Sequence, residues 1–172
     1  MTERYQEPLS PEALRHAFSQ FGTGVCVAST RLADGRSAGI TVNSFTSVSL
    51  DPPLALFCIG NGSQLLEAFG LNTRVAISVL AGTQQAASNA FARSATQIDH
   101  PEFLTTEFAG VPAIEDAAAV MVGHVDSRVT AGDHTIILVR LEALEVNAEA
   151  AGNTLWYFRG GYTHANTART DA

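Results

Sequence analysis

From Thr41 to Ser49, six of nine side chains are hydroxyls or amides, in a segment whose flanks read as buried strand. Donors and acceptors grouped inside an apolar domain need partners, which backbone, water or a polar ligand must supply. The segment reads as the wall of a ligand site, with Thr41, Asn43, Ser44, Ser47 and Ser49 among its six polar groups. A Ser/Thr-rich strand end that satisfies its own backbone is the alternative.

The standard templates for other chemistry are missing. Gly-x-x-x-x-Gly-Lys cannot occur, because the chain has ten arginines and no lysine. Gly22-Thr23-Gly24 is half a dinucleotide fingerprint, but Val27 stands where the third glycine belongs and the segment precedes a strand. No Gly-x-Ser-x-Gly elbow is present. His16, His100, His124, His134 and His164 have no His-x-x-x-His or His-Glu-x-x-His spacing, so no metal site is expected. Cys26 and Cys58 lie far apart, each in an apolar run, and read as buried reduced thiols.

The elements that must carry the wall are mostly strands. Ser10-Pro11-Glu12 starts a helix with Leu14, Ala17, Phe18 and Phe21 on one face and Gly22 at its end. Val25 to Thr30 and Ser37 to Val42 predict a hairpin around Asp34-Gly35. Asp51-Pro52-Pro53 precedes a buried strand from Leu54 to Ile59. Gly60-Asn61-Gly62 turns the chain, Ser63 caps a short helix through Phe69, and Arg74 to Leu80 is a further strand. Thr83 caps a second helix to about Phe91; residues 92–114 read as a long excursion with at most short helices. Strands are expected over Val120 to Val125, His134 to Val146 and Thr154 to Phe158, with a loop ending in Ala131-Gly132-Asp133 before the long one. His134 to Val146 would extend about 40 Å, a length that bending around a closed sheet relieves. Six or seven such strands with peripheral helices favour a small antiparallel barrel.

At 172 residues, 46% hydrophobic and 16% charged, the chain suits one globular domain, over residues 10–162, with flexible ends at 1–9 and 163–172. No apolar run reaches the length of a membrane span, and the N-terminus lacks the pattern of a signal peptide, which implies the cytoplasm. A formal charge of −7 with no basic stripe makes nucleic acid and anionic lipid unexpected partners.

Six blocks carry a resemblance: Phe21-Gly22-Thr23-Gly24-Val25, Thr41-Val42-Asn43-Ser44-Phe45, Ser47-Val48-Ser49-Leu50-Asp51-Pro52-Pro53, Phe91-Ala92, Gly132-Asp133-His134-Thr135 and Tyr157-Phe158-Arg159-Gly160-Gly161-Tyr162. In this order they resemble the short-chain NAD(P)H:flavin reductases, the reductase components of two-component flavin-dependent monooxygenases. The resemblance spans residues 14–162. It implies a mainly β fold, an antiparallel Greek-key split barrel of the FMN-binding type. It also implies FMN or FAD as hydride acceptor, NADH or NADPH as donor, a homodimer, and a separate monooxygenase that receives reduced flavin.

Under that resemblance Thr41, Val42, Asn43, Ser44 and Phe45 address the polar edge of the isoalloxazine ring and the ribityl hydroxyls, and Ser47 and Ser49 add hydroxyls. Ser63 at a helix N-terminus and Arg93, just after Phe91-Ala92, are the candidates for the phosphate. The alternatives are an ordinary cap and a surface arginine. Asp133 and His134 belong to the block that lies beside bound flavin, which makes His134 the catalytic candidate, as a group that positions or polarises the nicotinamide. A histidine satisfied by Asp133 is the structural alternative. Tyr162 would close over the nicotinamide. Two rival functions remain: a non-catalytic flavin-binding or electron-carrier protein on the same barrel, and, more distantly, an oxidase of a pyridoxamine-like substrate.

Overall fold

The computed structural model describes residues 8–93, 98–104, 106–150 and 152–166. Helix α1 (Pro11–Phe18) starts as its residues dictate: Ser10 Oγ accepts from Ala13 N at 3.1 Å, Glu12 lies in the first turn, and Arg15 and His16 lie in the last. Its expected apolar face is not buried. Ala13 is the residue of α1 that is, whereas Phe18 and Phe21 are 70% and 76% exposed.

Strands β1 (Thr23–Gly24), β2 (Cys26–Arg31) and β3 (Ser37–Val42) follow, the last two paired around Gly35 at φ 86°. Next come β4 (Thr46–Leu50), β5 (Pro53–Gly60), β6 (Arg74–Val79) and helix α2 (Gln85–Phe91). The chain continues through β7 (Thr106–Phe108), β8 (Val111–Ala113), β9 (Ala119–Ala131), β10 (His134–Val146), β11 (Asn153–Phe158) and β12 (Gly161–Asn166). Seven strands form one antiparallel sheet in the order β3-β2-β6-β9-β10-β5-β4; β1, β11 and β12 form a second.

The two edges of the large sheet, β3 and β4, are joined by Asn43-Ser44-Phe45, and Ser44 Oγ accepts from Cys58 N of β5 at 2.8 Å. The short connection brings the two edges of the sheet together as a barrel, and the bond pins it to β5. Alternate residues fill the interior: Cys26, Ala28, Val42, Phe57, Ile59, Val75, Ile77, Ile137 and Val139, with Phe57 edge-on to Phe69 at 5.6 Å. A second core lies outside the barrel, where Val25, Val27, Ala76 and Val122 pack beneath α2, the β7–β8 hairpin and Leu155. Strand β2, covered on both faces, is buried at every position but its last.

Strand β10 has the expected bounds and bends as its length requires, through register shifts between Leu138 and Val139 and between Leu141 and Ala143. At the second, Gly123 faces Leu141 so closely that a Cβ on it would stand 2.0 Å from Arg140 O. Only glycine permits that approach. Glu142, the extra residue of the bulge, meets His124 Nδ1 at 2.8 Å and Arg74 at 3.3 Å.

Several local expectations give way. The helix expected from Ser63 to Phe69 is a turn followed by a short 3-10 helix, Leu66–Phe69. Thr83 does not cap α2; Gln84 precedes it and spends its amide on Ala81 N and Glu115 O, at 2.9 and 2.7 Å. The excursion contains the β7–β8 hairpin, closed by Ala109 and Gly110 at φ 48° and 77°. Strand β9 runs on to Ala131, so the loop before β10 shrinks to Gly132-Asp133. Residues 46–50 form an edge strand, exposed except at Ser49, which removes the burial alternation that marks strands in sequence. Strand β12 carries pairing to Asn166, past the expected boundary at 162; residues 1–7 and 167–172 of the expected flexible ends lie outside the described residues.

Candidate active site

His134 opens β10 directly after the Gly132-Asp133 turn and pairs with Gly60 at the end of β5. A Cβ on Gly60 would come 3.8 Å from His134 Nε2, an ordinary contact, so the imidazole lies directly beside this glycine. Nδ1 lies 2.8 Å from Asp133 Oδ1, which directs Nε2 away from the carboxylate. The imidazole is half exposed and the carboxylate almost fully so. The hydrogen bond to His134, and then its charge, hold the Asp133 carboxyl below the usual aspartate range.

The turn that aims this pair is braced by Asn61. Its backbone N donates to Asp133 O at 2.9 Å, its Nδ2 donates to Gly132 O at 3.1 Å, and its Oδ1 accepts from Thr135 Oγ1 at 2.8 Å. Thr135 is buried, so its hydroxyl needs this partner. In sequence Asn61 reads only as part of a Gly-Asn-Gly turn; the brace depends on β5 lying beside β10.

At the end of β3, Thr41 Oγ1 donates to Ser88 O of α2 at 2.7 Å, and Ser88 Oγ lies 2.9 Å from Tyr162 Oη. Tyr162 meets Tyr157 edge-on at 5.4 Å. Val25, Thr41, Asn43, Ala92, Tyr157 and Tyr162 line a cavity of about 220 Å³. Aromatic and aliphatic surface beside the Asn43 amide and the Thr41 hydroxyl fits a flat ring system with a polar edge, as isoalloxazine is. Arg93 is exposed next to Ala92 and remains the cation nearest in sequence to this wall.

The expected residues separate into groups. Thr41, Asn43 and Tyr162 share the cavity. Ser44 sits two residues from Gly60 along β5, through its bond to Cys58, about 7 Å along the strand, so the wall and His134 occupy one end of the barrel. Val42 instead faces the barrel interior, Phe45 packs against that interior, and Ser47 and Ser49 lie on the edge strand β4. Phe91 is fully buried beneath Gly39, whose added Cβ would stand 3.0 Å from its ring; it anchors α2 and touches no open surface. Ser63 Oγ accepts from Leu65 N at 3.2 Å in a turn, and no α-helix follows to supply a dipole. Tyr162 stands with Ser88 and Thr41, at the β3 side of the site. Cys26 and Cys58 are free thiols; Cys26 is buried, which pushes its pKa up to about 12, and Cys58 is half-buried. Among the described residues no cluster of His, Cys, Asp or Glu is arranged to hold a metal, and no helix is long and apolar enough to cross a membrane.

A rolled antiparallel sheet, helices on its outside and a polar wall at one barrel end define a split-barrel protein of the flavin reductase type. The chain belongs to the flavin reductase like domain family, which matches residues 18–166. It is 41% identical over 160 residues to a protein of Rhizobium meliloti (strain 1021) named "Probable flavin reductase", covering 91% of this chain and 49% of the other; the chain thus spans about half the length of that relative. It is 34% identical over 148 residues to the NADH-dependent flavin reductase StyB of Pseudomonas fluorescens, covering 86% of each. The solved styrene monooxygenase flavin reductase of Pseudomonas putida S12 superposes with a TM-score of 0.78 at 33% identity, over 90% of this chain and 98% of that one.

Proposed function

We propose that this chain is an NADH-dependent flavin reductase: the reduced nicotinamide gives a hydride to FMN or FAD, and the reduced flavin leaves for a separate monooxygenase. The observation that carries the reading is the sharing of one barrel end by the Thr41–Asn43–Tyr162 wall and the Asp133–His134 pair. Bound flavin would supply the electrophilic ring nitrogen that accepts the hydride. The chain's own task is positioning, which brings reacting atoms to about 3–3.5 Å. Thr41 and Asn43 orient the polar ring edge, while Tyr157 and Tyr162 exclude water from its apolar face. His134, with Nδ1 held by Asp133, offers Nε2 to the nicotinamide and takes no proton from carbon. A wall built of neutral groups, in a chain without lysine, suits a flavin that is released as product.

The same reading extends to a homodimer. On the outer face of the barrel, Leu56 lies opposite Leu138, and Ile136 opposite Val129, which is 56% exposed. Such a row of apolar side chains suits burial against a second copy. The free thiols of Cys26 and Cys58 suit the cytoplasm.

Steady-state oxidation of NADH and NADPH, each with FMN and FAD, tests the proposal. Flavin-dependent oxidation is expected. Tight yellow flavin with no nucleotide turnover would overturn it in favour of a carrier.

A further inference from the structure

Helix α2 buries a hydroxyl that its packing does not need. Its inward face is Ala87, Ser88 and Phe91, and Ser88 is fully buried, where an alanine would fill nearly the same space with no polar atom to satisfy. A buried hydroxyl requires a partner. Ser88 finds its contacts on two strands distant in sequence: its Oγ lies 2.9 Å from Tyr162 Oη on β12, and its carbonyl accepts from Thr41 Oγ1 on β3 at 2.7 Å. Both of those side chains line the ring cavity, while Ser88 stands behind it.

The helix is a fixed post. Gln84 ties its start to Ala81 N and Glu115 O at 2.9 and 2.7 Å, and Phe91 holds its end in the core beneath Gly39. Tyr162 is held less firmly by its own strand. Among the described residues β12 is the edge of the three-stranded sheet and pairs with β11 alone, and Tyr162 is its second residue, just past the turn at Arg159 and Gly160. Strand ends at a sheet edge open more easily than core strands.

The other contact on the Tyr162 ring is Tyr157, edge-on at 5.4 Å with 70° between the planes. Aromatic pairs tolerate a range of such arrangements. A hydrogen bond weakens steeply away from its preferred angle, so the bond to Ser88 is the restraint that sets the direction of the ring. Thr41 is fixed from the same post: a carbonyl only accepts, so the threonine proton is spent on Ser88 O and its oxygen remains an acceptor for any further partner.

We infer that Ser88 is a positioning residue of the flavin site, whose hydroxyl holds the Tyr162 ring at the angle the flavin meets. It touches neither substrate and acts through Tyr162. The inference rests on the flavin reductase reading, since it concerns the same site.

Ser88→Ala, Tyr162→Phe and the double variant test it on the full chain. Ser88→Ala removes the hydroxyl and leaves the carbonyl to Thr41. It is expected to raise the KM for flavin about three- to tenfold, the scale of one neutral hydrogen bond, with kcat and the KM for NADH nearly unchanged. Tyr162→Phe should shift the flavin KM by a similar factor. The double variant should be no worse than either single one, because all three lose the same bond. An unchanged flavin KM in either single variant overturns the inference, whatever happens to the melting temperature, and so does a shift confined to NADH. Effects that multiply in the double variant also overturn it, since the two hydroxyls would then act separately. Quenching of flavin fluorescence reads the same cycle without turnover. Flavin binding with this pattern but no oxidation of NADH keeps the role of Ser88 and overturns the reductase reading, whereas turnover with multiplying effects does the reverse.

Discussion

The buried hydroxyl of Thr135 donates to Asn61 Oδ1 at 2.8 Å, joining the start of β10 to the end of β5 beside the catalytic candidate. The same amide holds Gly132 O, so one side chain sets both ends of the turn that carries Asp133 and His134. Asn61→Ala leaves a buried hydroxyl without its partner and is expected to cost about 1–3 kcal/mol. Asn61→Asp keeps an acceptor for Thr135 and should recover part of that loss. Urea unfolding gives the stability, and KM for NADH should rise in Asn61→Ala more than the KM for flavin.

His134 stands exposed at the barrel rim, with Asp133 as its hydrogen-bond partner, and contributes nothing to either core. His134→Ala should therefore leave the melting temperature nearly unchanged. NADH use should fall about tenfold or more, the scale of one lost polar contact to a bound group. Flavin binding, followed by quenching of flavin fluorescence, should be spared. An equal loss of both would mark the residue as structural.

The Asp133 carboxyl titrates below the ordinary aspartate range because His134 is hydrogen-bonded to it. A carboxyl depressed in the folded state stabilises above its unfolded pKa, about 3.9. That contribution is lost as pH falls through the lower folded value. Carboxyl carbon NMR should show Asp133 titrating below the ordinary aspartate range in wild type and moving up in His134→Ala. A titration that ignores the substitution would contradict the assignment.

Phe91 is a core residue, fully buried against Gly39 and edge-on to Phe103 at 6.3 Å. Phe91→Ala should cost about 3–5 kcal/mol. If the protein still folds, KM for flavin should change less than in Asn43→Ala, which removes an exposed amide of the Thr41–Tyr162 cavity.

At Gly123 the added methyl of alanine would collide with backbone, which cannot swing aside as a side chain can. Gly123→Ala should destabilise by about 3 kcal/mol or more, with loss of folded yield on expression. The β10 bulge is then a requirement of the barrel's curvature. Normal stability in this variant would show that the strand pair can part locally.

Much of this fold is legible from neighbouring residues alone. The cap at Ser10, the Asp34-Gly35 hairpin, the bounds of β3 and β10 and the need for β10 to bend all follow from turn chemistry, capping and strand length, which act over a few residues. The composition of the 41–49 segment likewise marks the wall. What that segment does residue by residue was decided by the rolled sheet. Ser44 closes the barrel against Cys58, Val42 turns inward, and Ser47 and Ser49 go to an exposed edge, because strand alternation and bulges set which way each side chain points. Phe91 became core for the same reason, once α2 lay across Gly39. The brace from Asn61 to Thr135 spans 74 residues, and the β11–β12 turn docks on the end of α1 through Arg159 N and Ser19 O. Contacts of that reach have no local signature, so only the tertiary structure could assemble them.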